Sequence, residues 1–181
     1  MPDDADRLSE VVDAALALGH ALRACGWKIA TAESCTGGAI ARALTEVGGA
    51  SDWFERGFVT YSDQAKVDLL GVSADTLAAA GAVSETVAGQ MADGALTRSR
   101  AQFALAVTGV AGPGGATPGK PVGTVCFGWA GIDAAPVTET LAFAGDRSAV
   151  RRAAALHALR RAQQLLAGWA GRSDVGSTTN S

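Results

Sequence analysis

The chain has 181 residues, of which 48% are hydrophobic, enough for one core of good size, whereas two independent domains would each be small. A net charge of −3 provides no field for holding a polyanionic backbone, so nucleic acid is not an expected partner. No apolar run approaches the roughly 18 residues of a membrane span, and Met1-Pro2-Asp3-Asp4 is acidic where a signal peptide is basic, which predicts a cytoplasmic protein with no membrane partner.

In chain order, Leu8, Val11, Val12, Ala15, Leu18 and Leu22 recur at helical spacing, and Gly26 is placed to end that helix. An apolar stretch from Trp27 to Ala32 reads as a strand, followed by a glycine-led helix through Leu44 and a turn at Gly48-Gly49. Gly57 to Tyr61 is strand-like. Helices are predicted from Ser62 to Leu70, from Ser73 to Ala80, and from Ser84, a good N-cap, to about Arg98. Phe103 to Val107 is apolar throughout and too short for a helix, as in a strand covered on both faces. Strands are then expected from Val122 to Trp129 and from Val137 to Phe143, and a last helix from about Asp146 to Trp169. The short Gly-Ile-Asp link makes the final strand pair an antiparallel hairpin. This order predicts a single three-layer α/β/α domain over residues 1–170, with a mixed, mostly parallel sheet. Residues 171–181 are small and polar, and read as a disordered tail.

Ligands of such sheets sit beyond the strand C-termini, where two glycine-rich loops begin. The first, Glu33-Ser34-Cys35-Thr36-Gly37-Gly38, joins a strand to a helix and presents unpaired backbone N–H groups. There Ser34 is a candidate nucleophile, Cys35 a thiolate or a small buried thiol, and Glu33 either a ligand for a ribose hydroxyl or a group that polarises a water. The second loop runs from Thr108 to Pro121 with Gly109, Gly112, Gly114 and Gly115, and offers amides to a phosphate or carboxamide oxygen. It matches neither dinucleotide nor triphosphate fingerprints. The cysteines (Cys25, Cys35 and Cys126) form no C-x-x-C, and neither His20 nor His157 stands at ligand spacing, so no metal or cofactor is expected.

Ser51, Tyr61 and Lys66 form a third grouping, compatible with a serine nucleophile and a lysine base. For that role the Lys66 pKa must fall from about 10.4 to about 7 or 8 by burial or neighbouring positive charge. The same spacing fits a capping serine, a half-buried tyrosine and a solvated lysine. Arg147, Arg151 and Arg152 cluster at the start of the last helix, where they oppose its dipole unless an anion reaches them. Arg147 is placed in the site, and the other two are equally well read as solvated.

Ala32 to Gly38, Tyr61-Ser62-Asp63-Gln64-Ala65-Lys66, Gly81-Ala82-Val83-Ser84 and Thr108 to Gly115 with Lys120-Pro121-Val122-Gly123-Thr124 together resemble the CinA C-terminal domain family. The resemblance runs from about Leu8 to Trp169. It implies hydrolysis of the carboxamide of nicotinamide mononucleotide to nicotinate mononucleotide and ammonia through an acyl-enzyme, without a metal. It also implies Ser51 as nucleophile with Tyr61 and Lys66, Thr108 and Arg147 as further site residues, and Ser34, Thr36, Gly37 and Gly38 as substrate-binding or oxyanion elements. Asp63 departs from the Asn usual in the family. A non-catalytic nucleotide-binding module, and an amidohydrolase using Ser34 or Cys35, are the alternative readings. Trp27, Trp53, Trp129 and Trp169 offer more aromatic bulk than one core needs, which predicts a homodimer.

Overall fold

The computed structural model describes residues 4–173. Five strands form one sheet in the order β2-β1-β3-β4-β5: β1 (Ile29–Glu33), β2 (Phe54–Val59), β3 (Phe103–Gly109), β4 (Thr124–Gly131) and β5 (Ala134–Ala142). β1 pairs in parallel with both β2 and β3, while β4 is antiparallel to its neighbours β3 and β5. Four strands therefore point the same way and β4 alone is reversed, in keeping with the sheet read from the sequence. The helices are α1 (Asp4–Cys25), α2 (Ala39–Thr45), α3 (Asp63–Leu70), α4 (Ala74–Ala80), α5 (Glu85–Thr97) and α6 (Arg147–Ser173). The expected tail lies almost wholly outside the described residues. Among these residues no helix is long and apolar enough to cross a membrane.

The two faces of the sheet differ because successive side chains on a strand alternate in size. Phe103, Leu105 and Val107 point to one face and pack with Leu18, Leu22 and Leu159 beneath α1 and α6. Ala104 and Ala106, with Ala30, Ala32 and Ala130, point to the other face and meet Val87, Met91 and Ala95 of α5. Small residues let α5 lie close to the sheet. At Gly128 a Cβ would stand only 2.3 Å from the Ala88 carbonyl oxygen, so any side chain there would push α5 away. Trp27, Trp53, Trp129 and Trp169 are all buried within the chain. They present no aromatic face, and the reason for expecting a homodimer from them does not hold.

Serine begins three of the helices. Ser62, Ser73 and Ser84 accept hydrogen bonds from Ala65, Thr76 and Val87 N–H, the first-turn pattern that satisfies orphan helix donors. After β1 the chain crosses one face through α2 to edge strand β2, then returns over the other face through α3, α4 and α5 to β3. The strand order thus reverses between β1 and β3, which opens a crevice at their C-terminal ends.

Candidate active site

Three strand ends converge on that crevice. Ser34 follows β1, and its amide bonds the Val107 carbonyl of β3 at 2.9 Å. Thr60 follows β2 and its amide bonds the Glu33 carbonyl at 2.8 Å, so the backbone carries Ser34 and Thr60 side by side. Lys66 lies one turn into α3, and a helical side chain leans toward the helix N-terminus, here toward the sheet edge. Its Nζ donates to Ser34 Oγ at 3.1 Å and to the Thr60 carbonyl at 3.0 Å. Lys66 is 1% exposed. Among the described residues no carboxylate lies within ion-pair distance of it. Burial therefore holds its pKa below the ordinary lysine value, with the nearby Asp63 carboxylate partly opposing the shift.

A cavity of about 240 Å³ opens over this pair, walled by Ser34, Cys35, Tyr61, Lys66, Thr108 and the Gly109–Gly115 loop, with Arg147 and Asp63 at its margin. Thr108 spends its hydroxyl on the Ala82 carbonyl at 2.9 Å, fastening the end of β3 to the link between α4 and α5. Lys120 Nζ donates to the Ala80 carbonyl at 2.7 Å and holds the other end of the glycine loop to the last residue of α4. Within the loop Gly112 has φ +83°, and a Cβ there would approach Val122 to 2.7 Å, so glycine is required on both counts. The amides of Ala111, Gly114 and Gly115 donate to no backbone carbonyl among the described residues. Arg147, the first residue of α6, donates through Nη1 to the Gly112 carbonyl at 2.8 Å and through Nη2 to the Tyr61 hydroxyl at 3.0 Å. It ties the loop to the 63%-exposed tyrosine at the mouth.

The structure thus brings together Ser34, Tyr61, Lys66, Thr108, Gly109, Gly112 and Arg147. Ser51 is not among them. It precedes β2, and a residue before a strand of a parallel sheet lies at the opposite edge from residues that follow one. The Ser51 carbonyl accepts from Lys28 Nζ at 3.5 Å, and the Trp53 carbonyl from Ile29 N–H at 2.7 Å, both at the start of β1. Five residues of β1, about 16 Å, separate that end from Ser34. Ser51 is exposed, and Lys66 is bonded elsewhere.

Glu33, Thr36, Gly37 and Gly38 also stand apart from the cavity wall. Glu33 is fully buried, and its two carboxylate oxygens accept from Ile40 N–H at 3.0 Å and Ala41 N–H at 2.8 Å. It caps α2 rather than reaching a ribose. Thr36, Gly37 and Gly38 shape the turn behind Ser34. Cys35 lines the cavity, but burial pushes its thiol up to about 11, so it stays protonated near neutrality and is no thiolate nucleophile. Thr60, whose carbonyl holds the lysine, was invisible in the sequence because a backbone acceptor carries no residue-type signal. Among the described residues no group of three or more His, Cys, Asp or Glu is placed to hold a metal ion.

Comparison with known proteins gives a consistent picture. Residues 12–166 match the family model of the CinA C-terminal domain. The chain is 54% identical over 145 residues to "Nicotinamide-nucleotide amidohydrolase PncC" of Enterobacter agglomerans, covering 80% of this chain and 88% of that one. It is 49% identical over 152 residues to the protein of the same name from Escherichia coli strain K12, covering 84% and 92%. Among solved structures, the competence damage-inducible protein A (ComA) from Klebsiella pneumoniae superposes with a TM-score of 0.85 at 40% identity, over 88% of this chain and 98% of that one.

Proposed function

Because the chain belongs to the CinA C-terminal domain family, we propose that it is an amidohydrolase that converts nicotinamide mononucleotide and water to nicotinate mononucleotide and ammonia, with Ser34 as its nucleophile. The observation that carries the reading is the buried Lys66 amine against the Ser34 hydroxyl. A neutral amine keeps a lone pair for the serine proton while its own N–H stays on the Thr60 carbonyl. Ser34 Oγ attacks the carboxamide carbon as Lys66 takes that proton. The carbonyl oxygen becomes an oxyanion, whose stabilisation is assigned to the Cys35 amide, which immediately follows the nucleophile.

Collapse of the tetrahedral intermediate breaks the C–N bond. The departing nitrogen leaves as ammonia with the proton that Lys66 carries, or with one relayed by Tyr61, whose oxygen accepts from Arg147 and whose own hydrogen is therefore free to point into the cavity. Water, deprotonated by the same lysine, then cleaves the acyl-serine ester and releases the acid. The cavity is smaller than the roughly 300 Å³ at the lower end of ligand pockets, so it takes the pyridine carboxamide while the phosphate lies at the mouth near Arg147 and the loop amides.

The test is ammonia release from nicotinamide mononucleotide and, in parallel, from unphosphorylated nicotinamide. The wild-type chain is expected to turn over the nucleotide far faster. Ser34→Ala is expected to lose about 10³-fold or more of kcat. Unchanged turnover in that variant would remove Ser34 from the role.

A further inference from the structure

Arg151 lies behind the Ser34 turn, out of reach of the cavity in which the substrate would sit. It projects from the second turn of α6, and its Nη2 donates to the Thr36 carbonyl at 2.7 Å across 115 residues of chain. It is absent from the wall of the Ser34 cavity, and lines instead a separate hollow of about 730 Å³ between α1, α2 and α6, with Val12, Ala43 and Ala155. The Thr36 carbonyl otherwise takes only the long 3.3 Å bond from Ala39 N–H, and the Thr36 hydroxyl is buried without a partner. Thr36 therefore does not fasten its own backbone. Gly37 adds no side-chain anchor, and a Cβ there would meet Arg151 Nη2 at 3.2 Å. The Arg151 Nε is enclosed and unpartnered. Among the described residues no carboxylate lies within ion-pair distance of this guanidinium. A half-buried cation held this way is costly unless it serves the groups around it.

We propose that Arg151 is a positioning residue for the amidohydrolase reaction: by clamping the Thr36 carbonyl from behind, it keeps the Cys35 amide and the Ser34 hydroxyl aimed at the reacting carbonyl, on the side where negative charge develops. Its field reaches the turn, since the same guanidinium pulls the Cys35 thiol downward against the larger effect of burial. Loosening of a catalytic turn by about 1 Å costs on the order of 10²-fold in rate while leaving ground-state binding almost untouched. The proposal rests on Ser34 being the nucleophile. Its structural half is separately measurable.

Steady-state ammonia release and amide hydrogen exchange are compared for the wild-type chain, Arg151→Met and Arg151→Lys. Arg151→Met is expected to lower kcat by about 30- to 100-fold with KM within about twofold. In that variant the Gly37 and Ala39 amides should exchange at least about tenfold faster, while those of β3 keep their protection. Arg151→Lys, which keeps a donor and a charge, should recover most of both losses. Wild-type kcat together with wild-type exchange in Arg151→Met overturns the proposal. So does a loss spread equally over kcat, KM and the exchange of β3, which marks a general packing role. If the wild-type chain releases no ammonia, the amidohydrolase reading falls, and the exchange at Gly37 and Ala39 still decides whether Arg151 holds the turn.

Discussion

The Lys66 amine and the Ser34 hydroxyl, 32 residues apart in the chain, meet at 3.1 Å where the ends of two parallel strands lie side by side. Burial disfavours the charged amine, so its folded pKa lies below the usual 10.5. Two pH effects follow. The rate should rise with pH through the folded pKa of Lys66, because the neutral amine is the base. Folding stability should also rise between that folded pKa and 10.5, since in this window the unfolded chain binds the extra proton. Lys66→Met should therefore abolish turnover yet fold more stably than wild type near neutral pH, with the difference fading above about 10.5, where both states hold a neutral amine. Urea unfolding at a series of pH values checks the sign.

Asp63 supplies a second test of the same amine. It begins α3, three residues before Lys66, and its carboxylate favours the protonated lysine. The other groups acting on this amine are the Ser34 hydroxyl, the Thr60 carbonyl and the Cys35 thiol, which is neutral near pH 7. Asp63→Asn should shift the ascending limb of the kcat profile to lower pH and raise the rate below it. A shift to higher pH, or none, would show that the rate does not report on Lys66.

Ser51→Ala is expected to leave ammonia release within about twofold and stability within about 0.5 kcal/mol, as for an exposed residue away from packing and caps. A large loss of kcat would restore Ser51 to the chemistry and remove the Ser34 scheme.

The element order and both glycine loops were legible in the sequence because periodicity and glycine placement report local structure directly. Phe103 to Val107, apolar at every position, reads as a strand covered on both faces, and it is one. Residue spacing could not say which serine meets Lys66, since Ser51 lies nearer in sequence than Ser34. Topology decides it. Residues at or just beyond the C-terminal ends of parallel strands share one edge of the sheet and residues that precede the strands share the other, so Ser34, Tyr61 and Thr108 meet while Ser51 faces away. Residue order left Arg151 open between an anion-facing and a solvated side chain, because its partner is a backbone carbonyl on a loop 115 positions earlier. The role of Glu33 as a cap was hidden for a similar reason, since the backbone N–H groups that donate to it, those of Ile40 and Ala41, lie on the far side of two glycines.

Arg147 joins the glycine loop to Tyr61, so its removal should affect binding and proton delivery together. Arg147→Ala is expected to raise KM for nicotinamide mononucleotide by about 10- to 100-fold, the loss of one or two charge-assisted hydrogen bonds. kcat should fall less. If the phosphate lies at this end, the same variant should alter KM for unphosphorylated nicotinamide much less. Equal effects on both substrates would move the phosphate elsewhere.

Glu33 is fully buried and accepts two amides at the first turn of α2, where the helix dipole also favours a negative charge. Glu33→Ala leaves the buried Ile40 N–H and the half-buried Ala41 N–H without their acceptor and opens a small cavity, at a cost of about 3 to 5 kcal/mol. For a chain of this size that corresponds to a fall in Tm of about 6 to 20 °C. Glu33→Gln keeps one carbonyl oxygen for one of the two amides but turns an NH₂ group toward the other, so it should recover only part of the loss. Were Glu33 a substrate ligand instead, both variants would raise KM and leave Tm unchanged. Differential scanning calorimetry beside the ammonia assay separates the two, because a cap acts on unfolding whether or not substrate is present.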